Sequence, residues 1–220
     1  IGGKLGDGRL NLNGKINTKS NVRGSFQLDW VGPSRDESLF AVLPSAVGDT
    51  LEAIDISDGL STLPDGLVTI SGENWDDLTV RFDGDIHLED VSINVGVPLT
   101  EIIGEVKVDG KYDEKQLSEL QFELKIEEMT TIGRPVNFVT GKLLLNQDEQ
   151  RLYFDDMSGE STTGGVSVDG WIAIDESKEF EIEILVAGAK IAAENEEDAM
   201  ASLEGELTGW LSIAGVRGNP

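Results

Sequence analysis

Cysteine is absent from this chain of 220 residues. That excludes thiol chemistry, disulfides and thiolate-bound metals, and it fits an exported bacterial protein as well as a cytosolic one. Histidine occurs once, as His87, so a Ser-His-Asp system would have one candidate base, and no nucleophile motif accompanies it. His87 sits on the polar phase of its segment and reads as a surface residue. Positive charge is scarce: 17 lysines and arginines stand against 42 aspartates and glutamates, a formal net charge of −25. Such a surface repels phosphate backbones, which argues against nucleic acid as a partner, and repels anionic lipid surfaces unless cations intervene. No apolar run approaches the ~20 residues of a membrane helix. No P-loop or dinucleotide fingerprint is present, and any targeting segment is expected to lie outside these residues.

No catalytic residue emerges. Among 42 carboxylates some close pair is inevitable in any fold, so a glycosidase-like pair cannot be argued from counting. A structural calcium site is the one metal to consider. Asp83-Gly84-Asp85, Glu89-Asp90 and Asp155-Asp156 offer hard oxygens, but none has the spacing of a calcium-binding loop. The expectation is therefore no cofactor, no metal and no enzymatic activity.

What the chain has is alternation. From Leu203 to Gly215 every second residue is apolar or glycine, and those between are mostly polar. Period two means a strand with one dry and one wet face. Thirteen residues would span roughly 43 Å as one strand. A hairpin turning at Thr208-Gly209 would set Glu206 opposite Leu211 on one face, so a single long strand is expected.

The same device recurs along the chain. Leu10, Leu12, Gly14 and Ile16 share a phase, as do Phe26, Leu28 and Trp30, before Gly32-Pro33 ends the run. Val80, Phe82, Gly84, Ile86 and Leu88 alternate, and Val91, Ile93 and Val95 continue in the opposite phase. That change predicts a bulge or turn near Glu89-Asp90. Further sets are Val106 to Tyr112, Leu120 to Ile126, Gly141 to Leu145, Leu152 with Phe154, Val166 to Ile174, and Phe180 to Val186. Asx-Gly pairs lie inside four of these stretches. Asx-Gly commonly turns hairpins, yet a turn at Asp83-Gly84 would pair Phe82 with Asp85 and wet the dry face. Continuation is expected there, at Asn13-Gly14 and at Asp109-Gly110; at Asp169-Gly170 both outcomes stay open. Glycine inside a long strand marks a bend, and repeated bends make a curved sheet.

One segment breaks the pattern. Leu39, Phe40, Leu43, Val47, Leu51 and Ile54 are spaced for one helical face. Ser34 with Glu37 reads as a capping box, and Pro44 divides the segment into two short helices that cap or plug a β core. The acidic stretch Glu194–Asp198 reads as a solvated loop. The four tryptophans, Trp30, Trp75, Trp171 and Trp210, read mostly as core or edge packing, with Trp210 on the wet phase.

The expected fold is mainly β: a long, curved, largely antiparallel sheet forming a groove or flattened half-barrel, with one short helical insert. The expected organisation is a single segment of a longer protein: strands over 1–33, the insert over 34–54, strand repeats over 55–191, an acidic loop over 192–201 and a long strand over 202–217.

Several stretches resemble a known family. Asp36–Pro44 (Asp-Glu-Ser-Leu-Phe-Ala-Val-Leu-Pro), followed by a second short helix and Gly59, resembles a helical insert of large bacterial envelope proteins of the AsmA-like, TamB-type group. Gly72–Trp75 with Gly84-Asp85-Ile86-His87-Leu88 resembles their strand repeat. Leu203–Gly215 resembles their C-terminal glycine–aliphatic pattern, with Ile213 at the last aliphatic position. The group belongs to the repeating-β-groove, or bridge-like, lipid transfer proteins. The resemblance implies an apolar groove that carries phospholipid or other acyl chains across the periplasm for lipid transport or outer-membrane assembly. It further implies an inner-membrane anchor outside this segment and neighbouring repeats of the same chain as partners. The groove residues it implies are the in-phase apolar positions Val80, Phe82, Ile86, Leu88, Phe122, Leu124, Ile126, Leu143, Leu145, Leu207 and Leu211. Two other readings compete: an extracellular β-sandwich that binds glycan or protein through exposed tryptophans, and a passive structural repeat.

Overall fold

In a computed structural model, the described residues are 2–18, 21–40, 54–113, 116–131, 133–161, 164–190 and 206–217. They form twelve strands in one antiparallel sheet whose spatial order is the chain order. The strands are β1 (Gly2–Leu5), β2 (Gly8–Asn17), β3 (Val22–Pro33), β4 (Asp58–Gly72), β5 (Leu78–Asn94), β6 (Pro98–Asp113), β7 (Gln116–Thr131), β8 (Arg134–Asn146), β9 (Arg151–Ser161), β10 (Gly164–Ala173), β11 (Glu179–Lys190) and β12 (Glu206–Val216). β1 and β12 are not paired with each other, so the sheet is open. β5, at 17 residues, is about three times the usual strand length.

The strands run straight through the Asx-Gly pairs. Gly14, Gly84 and Gly110 lie inside β2, β5 and β6 with continuous pairing on at least one side. Gly170 also lies inside a continuing strand, with φ +138° and a bulge between Val168 and Gly170. At the far end, Glu206–Val216 is one strand paired along β11, with no hairpin at Thr208-Gly209. Leu203 to Gly205 lie outside the described residues, as does the acidic stretch 192–201.

Cross-strand neighbours explain why the register holds. On one face a row runs from Val108 through Phe122, Leu143 and Phe154, past Gly170, to Ile182 and Ile213. On the other face Asp85, Lys107, Glu123, Lys142 and Asp155 are successive neighbours across five strands. Their charges alternate in sign. A slip by one residue would set leucines against water and carboxylates against leucines. In this row Lys107 and Lys142 separate three acids, whereas Asp83 and Asp109 face each other directly.

The sheet is folded as well as curved. Asp90 in β5 has φ 55° and Glu101 in β6 has φ 55°, and the register shifts beside both. Further shifts follow in β8, β9 and β10, with Phe138 at φ 53° and Asp156 at φ 51°. Bulges bend strands and change which face a side chain takes. This row of them turns the β5–β6 tip over the inner face. The tip reaches β11: a Cβ on Gly96 would lie 2.7 Å from the Phe180 ring. In a flat sheet β6 and β11 would stand roughly 24 Å apart, five spacings of about 4.8 Å. The bulge expected near Glu89-Asp90 is therefore present, and it makes Val91, Val95 and Val97 core residues.

The core lies under this fold-over. Leu152 and Ile172, cross-strand partners, are fully buried (0% exposed). The buried cluster spans β5 to β11 and takes in Ile54 from the end of the insert; Ile56 and, on β12, Ile213 pack against it, and no residue of β1 to β4 belongs to it.

The insert itself is described only at its two ends, so the two expected helices and their break at Pro44 lie outside the described residues. One helical turn, α1 (Glu37–Phe40), opens it. The cap differs from the expected Ser34. Asp36 does the capping: its carboxylate accepts the Ser38 N–H at 2.9 Å and the Asp7 N–H at 3.1 Å. A carboxylate immediately before the first turn reaches the free N–H groups directly, whereas Ser34 stands two residues further back, its N–H bonded to the Gly59 carbonyl and its buried hydroxyl without a partner among the described residues.

Candidate functional site

Among the described residues the inner face is an extended apolar surface, and the candidate groove positions other than Leu207 occupy it. Val80, Phe82, Ile86 and Leu88 occupy it on β5, opposite Tyr112, Gly110, Val106 and Gly104. Phe122, Leu124 and Ile126 follow on β7, and Leu143 and Leu145 on β8. Leu211 faces Ile184 on β12. Leu207 pairs with Ala189, and its side chain lies outside the described residues.

These positions share a face but not an environment. Phe122, Ile126 and Leu143 are buried, while Phe82, Leu88, Leu124 and Leu145 are partly buried and pack against the core. Leu211, at 49% exposed, is open. The open part of the face has a second region that alternation alone did not single out. On β2, Ile16 is 43% exposed, and it is aligned through Gly24 and Ile70 with Val80. Residues 2–33 and 58–72 form a wing over which, among the described residues, no second layer folds.

Glycines recur on the inner face because large side chains lie across them. A Cβ on Gly110 would run into the Phe82 ring, and one on Gly32 would come within 2.6 Å of Trp30. Leu63 covers two glycines: a Cβ on Gly84 would lie 2.6 Å from it and one on Gly66 2.9 Å. Leu63 reaches that position through a bulge in β4 between Thr62 and Leu67, where Asp65 has φ 56°. Pro64-Asp65-Gly66 was the available signal, a turn-like triplet that here shifts phase instead of reversing the chain. Aromatic side chains laid over cross-strand glycines dry a sheet face with a single layer.

Beneath the β5–β6 tip is a cavity of about 90 Å³. Val95 and Val97 line it from the tip, and Met129, Met157, Val168 and Ile184 from the sheet. Thr131 and Ser158 also border it. The tip residues were missed as site residues because their role depends on a fold-over between distant strands; the phase change at Glu89-Asp90 was their only trace.

The outer face carries the charge and the remaining candidates. His87 is exposed there, with Nδ1 3.5 Å from Glu105. Asp83 and Asp85 stand on the same face of β5, and Asp155-Asp156 are four strands away. Among the described residues no group of three or more His, Asp or Glu gathers as a metal site. Of the tryptophans, Trp30 is buried and donates its indole N–H to the Ser61 hydroxyl at 3.2 Å. Trp171 lies under the Arg151 guanidinium, 3.5 Å from its ring centre. Trp75 and Trp210 are exposed, and Trp210, at 76%, stands beside exposed Leu185.

Arg217 closes the end of β12. Its backbone N–H bonds the Lys178 carbonyl at 2.9 Å and its guanidinium donates to the Ala173 carbonyl. Burial pushes its pKa down, and Asp55 and Asp175 pull it back up. It ties the last strand to the β10–β11 turn.

No family model, curated protein or solved structure matches the chain. Among the described residues no helix is long and apolar enough to cross a membrane.

Proposed function

We propose that this chain is a non-enzymatic segment of an AsmA-like cell-envelope protein, in which the inner face shields lipid acyl chains during intermembrane transport or outer-membrane assembly. One observation carries the reading: the apolar inner face continues past the packed core into water, at Ile16 on one side and Leu211 on the other. Hydrocarbon needs no directional partner, only apolar area removed from water. In this reading the segment works in the periplasm, held to the inner membrane by another part of a longer chain, and neighbouring repeats extend the groove from its two free edges.

The test belongs on the open positions. Phe82 and Leu124 pack against the core, so charges there would strike the fold first. Ile16→Asp with Leu211→Asp leaves the core untouched. The wild-type protein should release phospholipid on solvent extraction, and the double variant should release little while melting normally. Wild-type protein free of lipid, or a variant that carries as much, sinks the reading.

A second reading draws on Trp210 and Leu185, an exposed aromatic–aliphatic pair on the outer face. Aromatic faces stack on sugars and anchor protein partners. It predicts affinity for polysaccharide or a protein that Trp210→Ala abolishes, with no bound lipid.

A further inference from the structure

We propose that the cavity beneath the β5–β6 tip receives the terminal methyl end of an unbranched acyl chain lying along the inner face of β12. The inference rests on the lipid-shielding reading and adds to it the place where the chain ends. At about 90 Å³ the cavity is about three water volumes, so it admits a few methylenes and no headgroup. A buried water needs two to four polar partners; here Thr131 and Ser158 are the only hydroxyl-bearing residues on a wall otherwise made of aliphatic, phenyl and thioether groups and Gly159. Met129 and Met157 stand in that wall, and unbranched thioether side chains adjust to an irregular guest.

The route in is continuous. Ile184 lines the cavity and is the cross-strand partner of exposed Leu211. The next inner pair is Val186 with Gly209, and a Cβ on Gly209 meets nothing within 4 Å. A chain lying over Gly209 and Leu211 therefore reaches Ile184 without leaving the apolar face. A polar or branched terminus would meet a closed, narrow, dry end.

Two palmitic acid analogues test this, one with a diazirine at the terminal carbon and one with it near the carboxyl group. Each is bound to the intact protein, irradiated and mapped by peptide mass spectrometry. The terminal probe should label Met157, Val168 and Ile184, and the other should label β12 or its neighbours. Val168→Phe, which fills the cavity, should lose the terminal label; Val168→Ala, which widens it, should keep the label and serves if the larger side chain disrupts folding. Xenon, added without lipid, should shift the Met129 and Met157 methyl resonances. If both probes label the same open surface while xenon enters the cavity, the inference is overturned and the shielding reading survives. If neither probe labels the protein, the shielding reading fails and takes this inference with it.

Discussion

The wing formed by β1 to β4 and the folded half from β5 to β11 use the same sequence device and reach opposite ends. Both alternate apolar and polar residues, and both set glycines on the dry face. In the wing, β2 and β3 pair over nine consecutive positions without a shift. Among the described residues the face stays single-layered, and rings such as Trp30 lie across Gly8 and Gly32. In the folded half, bulges at Asp90 and Glu101 carry the β5–β6 tip over the sheet, and the same kind of face becomes an interior. Alternation defines a dry face, and protein covers it where breaks in register carry a strand tip over it; the breaks in β4 at Asp58/Leu60 and Thr62/Leu67 carry none.

The largest effect should come from the folded half. Leu152→Ala removes a fully buried side chain from beneath its partner Ile172. Such truncations cost about 2–5 kcal/mol when the site cannot collapse. Ile16→Ala in the wing should cost less than about 1 kcal/mol, the range of exposed sites. Urea unfolding of both variants measures the contrast, and equal losses would show the wing to be packed against something in solution.

The second contrast concerns glycine. Gly110→Ala would push a methyl into the Phe82 ring, whereas a methyl on Gly209 meets nothing within 4 Å. Overpacking costs about 1–3 kcal/mol, so Gly110→Ala should destabilise by that much and Gly209→Ala should be neutral or slightly stabilising. Trimming the ring in a Phe82→Leu background should recover part of the Gly110→Ala loss. If the two alanines cost the same in the Phe82→Leu protein as in the wild type, the ring is not what occupies the space over Gly110.

These contrasts mark what was legible in the sequence. The mainly antiparallel β architecture was, and so were the straight passages through Asn13-Gly14, Asp83-Gly84 and Asp109-Gly110, because a turn there would have put the charged residues Lys15, Asp85 and Lys111 on the dry face. That argument uses only residues a few positions apart. It could not resolve Asp169-Gly170, where either outcome kept apolar residues together, and the strand there continues through a bulge. The described candidate positions share one face of the sheet. Their environments were not legible: Phe122 is buried and Leu211 open for reasons that lie in strands far away along the chain. The cap was misassigned for a local reason, since Ser34 and Asp36 both suit the role and only the first turn's actual start, at Glu37, selects Asp36. Leu63 escaped notice because a bulge shifted the phase of its strand.

The smallest effect compares two ion pairs. Lys111 and Asp113 on β6 form a close pair on the folded half, with Glu119 3.7 Å from the lysine nitrogen. The hydrogen bond from Lys111 is the main cause that holds Asp113 below the usual carboxylate range, with the Ser118 hydroxyl next, and the same bond raises Lys111. The contribution from Asp113 is therefore full above the ordinary carboxylate pKa of about 3.9 and is lost as the pH falls through its lowered value. The contribution from Lys111 is full below about 10.4 and is lost as the pH rises through its raised value. In the wing, Lys4 and Asp7 stand 3.9 Å apart with both side chains mostly exposed, an arrangement of little worth. The melting-temperature difference between wild type and Asp113→Asn should form a small plateau at neutral pH and close at both extremes. That for Asp7→Asn should stay near zero throughout. A plateau for Asp7→Asn as high as that for Asp113→Asn would mean that the wing orders its surface as firmly as the folded half, and that its open face has a partner in solution.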